Sequence, residues 1–328
     1  MQVQQPSTET VMAIVRDATA APSLYNAQPW RFRYLSGSRT FHLRCDPDRA
    51  VPRSDPTGRA LHLGCGAALF NLRVSAAHAG WSPLVRLLPD PEDRELLAVV
   101  RLAEPGHIDR ALAGLHSAIH RRHTSRHPFT GAEVPADVRL ALTEAARREG
   151  AELVFPSPWH TSLLLDLVRD AEGHNALDPG AAEEVARWTR IGAAADTATD
   201  GIPDYAFGPR KLGGKAPVRD FAGRRPVPGR PTAAFEDTPT LALLGTPGDR
   251  RGDWLAAGQA MERVLLTATE HGLATSLTSH PLEQPELRRL VRDPLTTVGH
   301  VQMVFRLGYG PPGPATPRRP VQEVLEID

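Results

Sequence analysis

The chain has 328 residues, 41% of them apolar and 23% charged, the balance of a folded globular protein. Lysine plus arginine equals aspartate plus glutamate at 38 each, so no global basic field exists to draw nucleic acid or anionic lipid. No apolar run approaches the roughly 18 residues that cross a bilayer, and the start MQVQQPSTET lacks a charged-then-apolar secretory pattern, so the expected address is the cytoplasm.

In chain order, apolar periodicity predicts a helix over 10–20, strands RFRYL and FHLRC, a long helix within 64–81 and a strand over 96–102. A second series follows: a helix over 137–149, strand ELVF, a helix over 161–188, strand PTLALLG, a long helix within 256–273 and strand QMVFRLG. Within the second series, between the 161–188 helix and strand PTLALLG, 191–235 is rich in glycine and proline. Irregular segments of that length inside a compact protein are usually lids or disordered insertions, and a lid is expected. Cys45 and Cys65 stand outside any CxxC pair and read as reduced, structural thiols.

The two series repeat one another. GCGAALFNLRVSAAHAGW (64–81) lies without gaps on AAGQAMERVLLTATEHGL (256–273), so that Gly66, Ala68, Ala76 and Gly80 fall on Gly258, Ala260, Ala268 and Gly272. The flanking strands LLAVVRL and QMVFRL also match in their closing Arg-Leu. Two copies of a helix-plus-sheet unit are expected, their small residues letting the long helices pack closely.

Three local patterns carry chemistry. The first, APSLYNAQPW at 21–30, has prolines near both ends that fix the backbone and leave short polar groups directed at something. It reads either as a well-made turn or as a ligand loop. In the second, three arginines and two hydroxyls fall within 121–126 of RRHTSRHPF, and guanidinium forks with hydroxyls suit a phosphate. The third is a basic knot, Arg318-Arg319, beyond the last strand.

Nucleic acid is a poor rival reading, because only 5% of residues are aromatic and little is offered for bases to stack on. His116, His120, His123 and His127 follow helical spacing that could hold zinc, but neighbouring arginines repel a cation and no Asp or Glu is close in sequence. A solvated or ion-paired helix face is expected there, with no metal. A dinucleotide fingerprint is absent, since Gly64-x-Gly66 continues to Leu69 within a helical pattern.

Together these features resemble the nitroreductase family of flavoproteins, and within it the duplicated, single-chain Acg-type branch of mycobacteria and actinomycetes. The resemblance implies an α+β nitroreductase-like fold with mixed or antiparallel sheets and central helices. Its two fused halves would span 1–110 and 111–328, forming an internal pseudo-dimer in a monomeric chain. By the same resemblance an RxSxR-like segment grips the FMN phosphate, here Arg122, His123, Thr124 and Arg126. The PSxxNxQPW turn reaches the flavin through Pro22, Ser23, Leu24 and Asn26. The loop GLATSLTSH faces the ring with Thr278 and Ser279, and Arg318 and Arg319 close on the phosphate.

Half one has the turn without the phosphate segment, and half two has the segment without the turn. One FMN per chain is therefore expected. The implied activity passes electrons from NAD(P)H or another donor to a small acceptor, and the resemblance identifies no catalytic residue. The long 191–235 segment exceeds the family core, so the alternative is a protein that sequesters flavin beneath a lid.

Overall fold

Helix α1 (Thr8–Thr19) starts at Ser7, whose hydroxyl accepts from the Thr10 amide, and buries Val11, Ile14, Val15 and Ala18. The computed structural model to which it belongs describes residues 5–104, 106, 109–223, 225–296 and 298–328. Strands β1 (Trp30–Leu35) and β2 (Thr40–Cys45) pair antiparallel, with Trp30, Phe32 and Tyr34 inward and Arg31 and Arg33 outward, as strict alternation dictates. Helix α2 (Arg59–His78), β3 (Ser82–Leu87) and β4 (Leu96–Ala103) complete this unit, and a short α3 (Arg110–Gly114) leads out of it.

The second unit begins with α4 (Ala136–Arg148) and β5 (Glu152–Val154), followed by α5 (Pro158–Leu177) and α6 (Pro179–Arg187). A run of short pieces comes next: β6 (Thr189–Arg190), α7 (Ala193–Asp196), β7 (Ile202–Pro203), β8 (Arg210–Gly213) and β9 (Thr232–Ala234). The unit closes with β10 (Thr240–Thr246), α8 (Arg251–Glu270), β11 (Ala274–Thr278), α9 (Pro285–Leu290) and β12 (His300–Gly308). After it come α10 (Val321–Val324) and β13 (Leu325–Ile327).

Two main sheets result, ordered β13-β1-β2-β4-β3 and β11-β12-β10-β5. Without β13 the first reads β1-β2-β4-β3, and the second in reverse reads β5-β10-β12-β11, the same order with corresponding elements. Strand β13 adds to the far unit in parallel, pairing Leu325 with Phe32, so the end of the chain ties the two sheets together.

Helices α2 and α8 form the centre and bury residues on all sides. Their contacts advance in step: His62 meets Trp254 with ring centroids 5.5 Å apart, Gly66 meets Gly258, and Arg263 lies 4.9 Å over the Phe70 ring. The helices therefore run side by side in the same direction, and glycine at the closest point admits backbone-to-backbone contact.

Several expectations need correction. The helix expected over 161–188 is two helices, because Pro179 cannot continue the hydrogen-bond ladder and the Asp178 side chain instead caps the Gly180 amide at 2.9 Å. The expected loop before Ser279 is strand β11, drawn into the sheet by β12. Strand β3 was hidden by its half-exposed pattern.

The expected histidine helix face does not form, since a 3-10 turn over Leu115–Ala118 interrupts it. His116 and His120 turn to Asp17 of α1, at 2.9 and 2.7 Å, a carboxylate far away in sequence. The described residues of 191–235 have little regular secondary structure, as expected, yet the segment is packed: Ile202, Phe207 and Phe221 join Tyr25, Val51 and Trp188 in a cluster of their own. Among the described residues no helix is long and apolar enough to cross a membrane.

Candidate functional site

The 21–30 turn links α1 to β1 in a strained backbone. Tyr25, Asn26 and Gln28 have φ of 54°, 56° and 54°, the left-handed region that non-glycine residues rarely occupy. Each such residue costs about 1–3 kcal/mol and persists only where its surroundings over-determine it. They do so here. The Ser23 hydroxyl accepts from the Gln28 amide at 2.9 Å, and Asn26 Nδ2 donates to the carbonyls of Gly201 at 3.0 Å and Pro317 at 2.9 Å. Gln28 donates to the Thr199 carbonyl and accepts from the Arg319 amide, both at 2.9 Å.

Pro22, Ser23, Leu24 and Tyr25 form one wall of a cleft. Arg59, Leu63 and Gly64 of α2 form another, and a Cβ on Gly64 would make a tight contact of 3.2 Å with Ser23 Cβ. Thr124 and Arg126 enter from the arginine-rich segment, which is laid along β11 by the Ser125 amide donating to the Thr275 carbonyl at 2.8 Å. Leu63, Met261, Leu277 and Met303 supply an apolar lining. Arg219 and Phe221 come from the 191–235 segment.

Three guanidinium groups and one carboxylate, Glu283, face this cleft. Arg219 donates to Glu283 and to the Tyr25 hydroxyl, and its Nε donates to His280 Nε2 at 2.9 Å. Burial opposes the Arg219 charge, but Glu283 and Tyr25 outweigh it and raise its pKa. Burial, then Arg219, holds His280 far below the usual histidine range, so the ring is neutral and can accept that bond. Burial pushes Tyr25 up to about 12 and keeps its proton on. Its hydroxyl meets Ser54 Oγ at 2.8 Å, and Ser54 donates to Glu184 at 2.7 Å. A guanidinium only donates and a carboxylate only accepts, so the chain runs from Arg219 through Tyr25 and Ser54 to Glu184.

Arg126 gives Nη1 to the Ala206 carbonyl at 2.9 Å and lies 4.8 Å over the Phe221 ring. Burial, then Arg219, lowers its pKa to about 10.

The other arginine-rich residues gather behind the turn. Arg318 donates to the carbonyls of Thr19 at 2.7 Å and Ala20 at 3.0 Å, and to Asn26 Oδ1 at 3.0 Å. Arg122 donates to the same Ala20 carbonyl at 3.0 Å and sits 3.5 Å from the fully buried Glu262. Burial, then Arg122, lowers Arg318 to about 9, and burial with Arg122 and Arg318 lowers His123 to about 4. The buried Glu262 thus feels both Arg122 and Arg318, and burial with the same two arginines keeps His123 neutral.

Of the sequence candidates, Pro22, Ser23, Leu24, Thr124, Arg126 and Ser279 line the cleft. Asn26, Arg122 and Arg318 form the adjoining cluster, with His123 coupled to it electrostatically. Thr278 turns away, its hydroxyl donating to the Pro217 carbonyl at 3.2 Å, and Arg319 lies near Asp46 and Glu323 at 3.6 Å each. Sequence reasoning missed Tyr25, Arg59, Arg219 and Glu283. Tyr25 stood inside the quoted turn, whereas Arg59 opens a helix with no motif around it.

A family model described as Nitroreductase family matches residues 119–309. A Mycobacterium tuberculosis protein provisionally named an NAD(P)H nitroreductase is 35% identical, over 99% of this chain and 94% of its own. A second, named acg in the same provisional terms, is 30% identical over 98% of this chain and 96% of its own. A crystal structure of a provisionally named nitroreductase from Anabaena variabilis covers 94% of this chain and 90% of its own at 13% identity with a TM-score of 0.50, a likeness of fold.

Proposed function

The chain belongs to the nitroreductase family, and from that premise we propose that it is an FMN-dependent oxidoreductase. It takes electrons from NAD(P)H or another donor and passes them to a small acceptor. The observation that carries this reading is the meeting of the strained 23–28 turn with Thr124 and Arg126 across one cleft rich in guanidinium groups.

The residues present fit the cofactor. Leu63, Met261, Leu277 and Met303 offer apolar contact to a flat ring, and Thr124 and Arg126 on the cleft wall, with Arg122 and Arg318 behind the turn, are the donors that would hold its phosphate. When bound, FMN supplies hydride chemistry, and the chain supplies orientation, charge and exclusion of water. Matching sheet orders and paired central helices support two fused halves, 1–110 and 111–328, with β13 crossing back to the first. Each half keeps the motif the other lacks, so one FMN is held per monomer in the cytoplasm.

Flavin absorbance measured against protein concentration tests this, with one FMN per chain expected. Two equivalents, or FAD by mass, would overturn it. The placing of Arg219 and Phe221 on the cleft wall favours a second reading, in which the 191–235 segment withholds the flavin from nicotinamides. Anaerobic NADPH or NADH bleaches the bound flavin within seconds under the first reading and leaves it oxidised under the second.

A further inference from the structure

The two main sheets repeat in strand order but not in strand length. Strand β5 has three residues and pairs with Leu243, Leu244 and Gly245, whereas β1, which holds its place in the first sheet, has six and pairs with all of β2. The ladder stops early because Pro156 has no amide to donate to it and Pro158 opens α5 instead. Thr240, Leu241 and Ala242 of β10 are left with β12 on one side and, among the described residues, no strand on the other.

A cavity of about 460 Å³ lies at this gap, a size that suits a small molecule. It shares no residue with the cleft described above. Its apolar lining comes from Phe129, Phe155, Leu165 and Leu241, three of them buried. Five charged side chains also line it. Glu236 is already neutralised, since Arg306 donates to its two oxygens at 2.5 and 2.7 Å.

The other four have no ion pair among the described residues. Glu133 and Arg139 stand together at the start of α4, where Arg139 lies 5.2 Å over the Phe155 ring and gives only Nε, to the Val134 carbonyl at 3.0 Å. Lys215 and Asp237 stand together on a second wall, where the Lys215 amide donates to the Glu236 carbonyl at 3.0 Å. A net anion entering here meets two carboxylates, and a net cation meets two bases. A ligand that carries one charge of each sign satisfies both.

We propose that this cavity is a second binding site, for a free amino acid with a large apolar side chain. The side chain lies against Phe129, Phe155 and the two leucines, and the ammonium and carboxylate groups meet the acids and bases around them. A nucleotide, with several negative charges and none positive, is a poor match for the same lining. The site does not depend on the FMN reading.

Calorimetry on the full chain as purified is the test. The ligands are L-phenylalanine and L-leucine, with hydrocinnamate and phenethylamine as probes that each keep one of the two charges. One L-phenylalanine per chain is expected, at about millimolar affinity or tighter. Either single-charge probe should bind about tenfold more weakly or worse, the loss of one charge-assisted contact. Arg139→Gln combined with Lys215→Gln should weaken L-phenylalanine to the same extent. Thr161→Trp, which fills the cavity and leaves all four charges in place, should abolish binding. Both variants should keep the wild-type FMN content, because neither touches the cleft. The proposal is overturned by the absence of saturable binding of either amino acid, by equal affinity for a single-charge probe, or by binding that survives either variant.

Discussion

Gly66 and Gly258 touch where α2 and α8 pass, and the contact is reciprocal. A Cβ on Gly66 would lie 2.4 Å from the Leu255 carbonyl oxygen, and one on Gly258 would lie 2.2 Å from that of Leu63. Leu63 and Leu255 are themselves matched by the same gapless comparison. Mutual contact between equivalent positions is what a two-fold axis produces, and it supports the proposed internal duplication.

Alanine at either position must push backbone from backbone. Gly66→Ala and Gly258→Ala are each expected to lose about 1–3 kcal/mol or more, read as a lower denaturation midpoint at unchanged slope. Gly114→Ala is the control, since its helical backbone and open surroundings accept a methyl group. Loss at Gly114 equal to that at Gly66 would show that the effect is not helix contact.

At Asn26 the usual order of alanine and glycine should invert. Both substitutions remove the bonds to Gly201, Pro317 and Arg318, but only glycine accepts a φ of 56° without strain. Asn26→Ala is expected to be less stable than Asn26→Gly by about 1 kcal/mol. Equal stabilities would mean that the turn relaxes and is not held in the left-handed region.

Gating by the 191–235 segment is better tested at Phe221 than by deletion. Shortening the segment would strip Asn26 and Gln28 of the Gly201 and Thr199 carbonyls and Glu283 of Arg219. Phe221→Leu leaves those bonds and thins the wall where Phe221 meets Arg126 and Tyr25. Stopped-flow reduction by dithionite should speed up several-fold at matched flavin content. Unchanged rates would remove Phe221 as a barrier.

The sequence exposed what is periodic or clustered. The paired glycines, the alternating β1 and the arginine-rich segment each carry their signal within a few residues. The cleft does not, because Arg59, Arg219 and Glu283 come from separate stretches and converge only on folding. Glu262 left a trace: in the gapless match it falls on Phe70, and a carboxylate in a helix buried on all sides implies a buried partner, found in Arg122. Pro179 was visible, yet the apolar pattern on both sides hid the break.

His123 offers a titration test of where the phosphate lies. Unfolded, a histidine titrates near 6.5; in the fold burial, Arg122 and Arg318 bring His123 to about 4. Its contribution to stability is thus fully present above about 6.5 and is lost as pH falls toward 4, where the unfolded chain holds the proton and the folded one does not. A phosphate beside Arg122 and Arg318 offsets their charge and raises the His123 pKa, so binding FMN within that window draws a proton onto the ring. The phosphate itself, with a second pKa of about 6, sheds protons when arginines bind it, which has the opposite sign. The comparison is therefore wild type against His123→Asn, by calorimetry at pH 5.5 in two buffers of different ionisation enthalpy. Wild type should take up more protons per FMN than the variant. Identical proton counts, with affinity intact, would place the phosphate away from Arg122 and Arg318 and return that cluster to a purely structural role behind the turn.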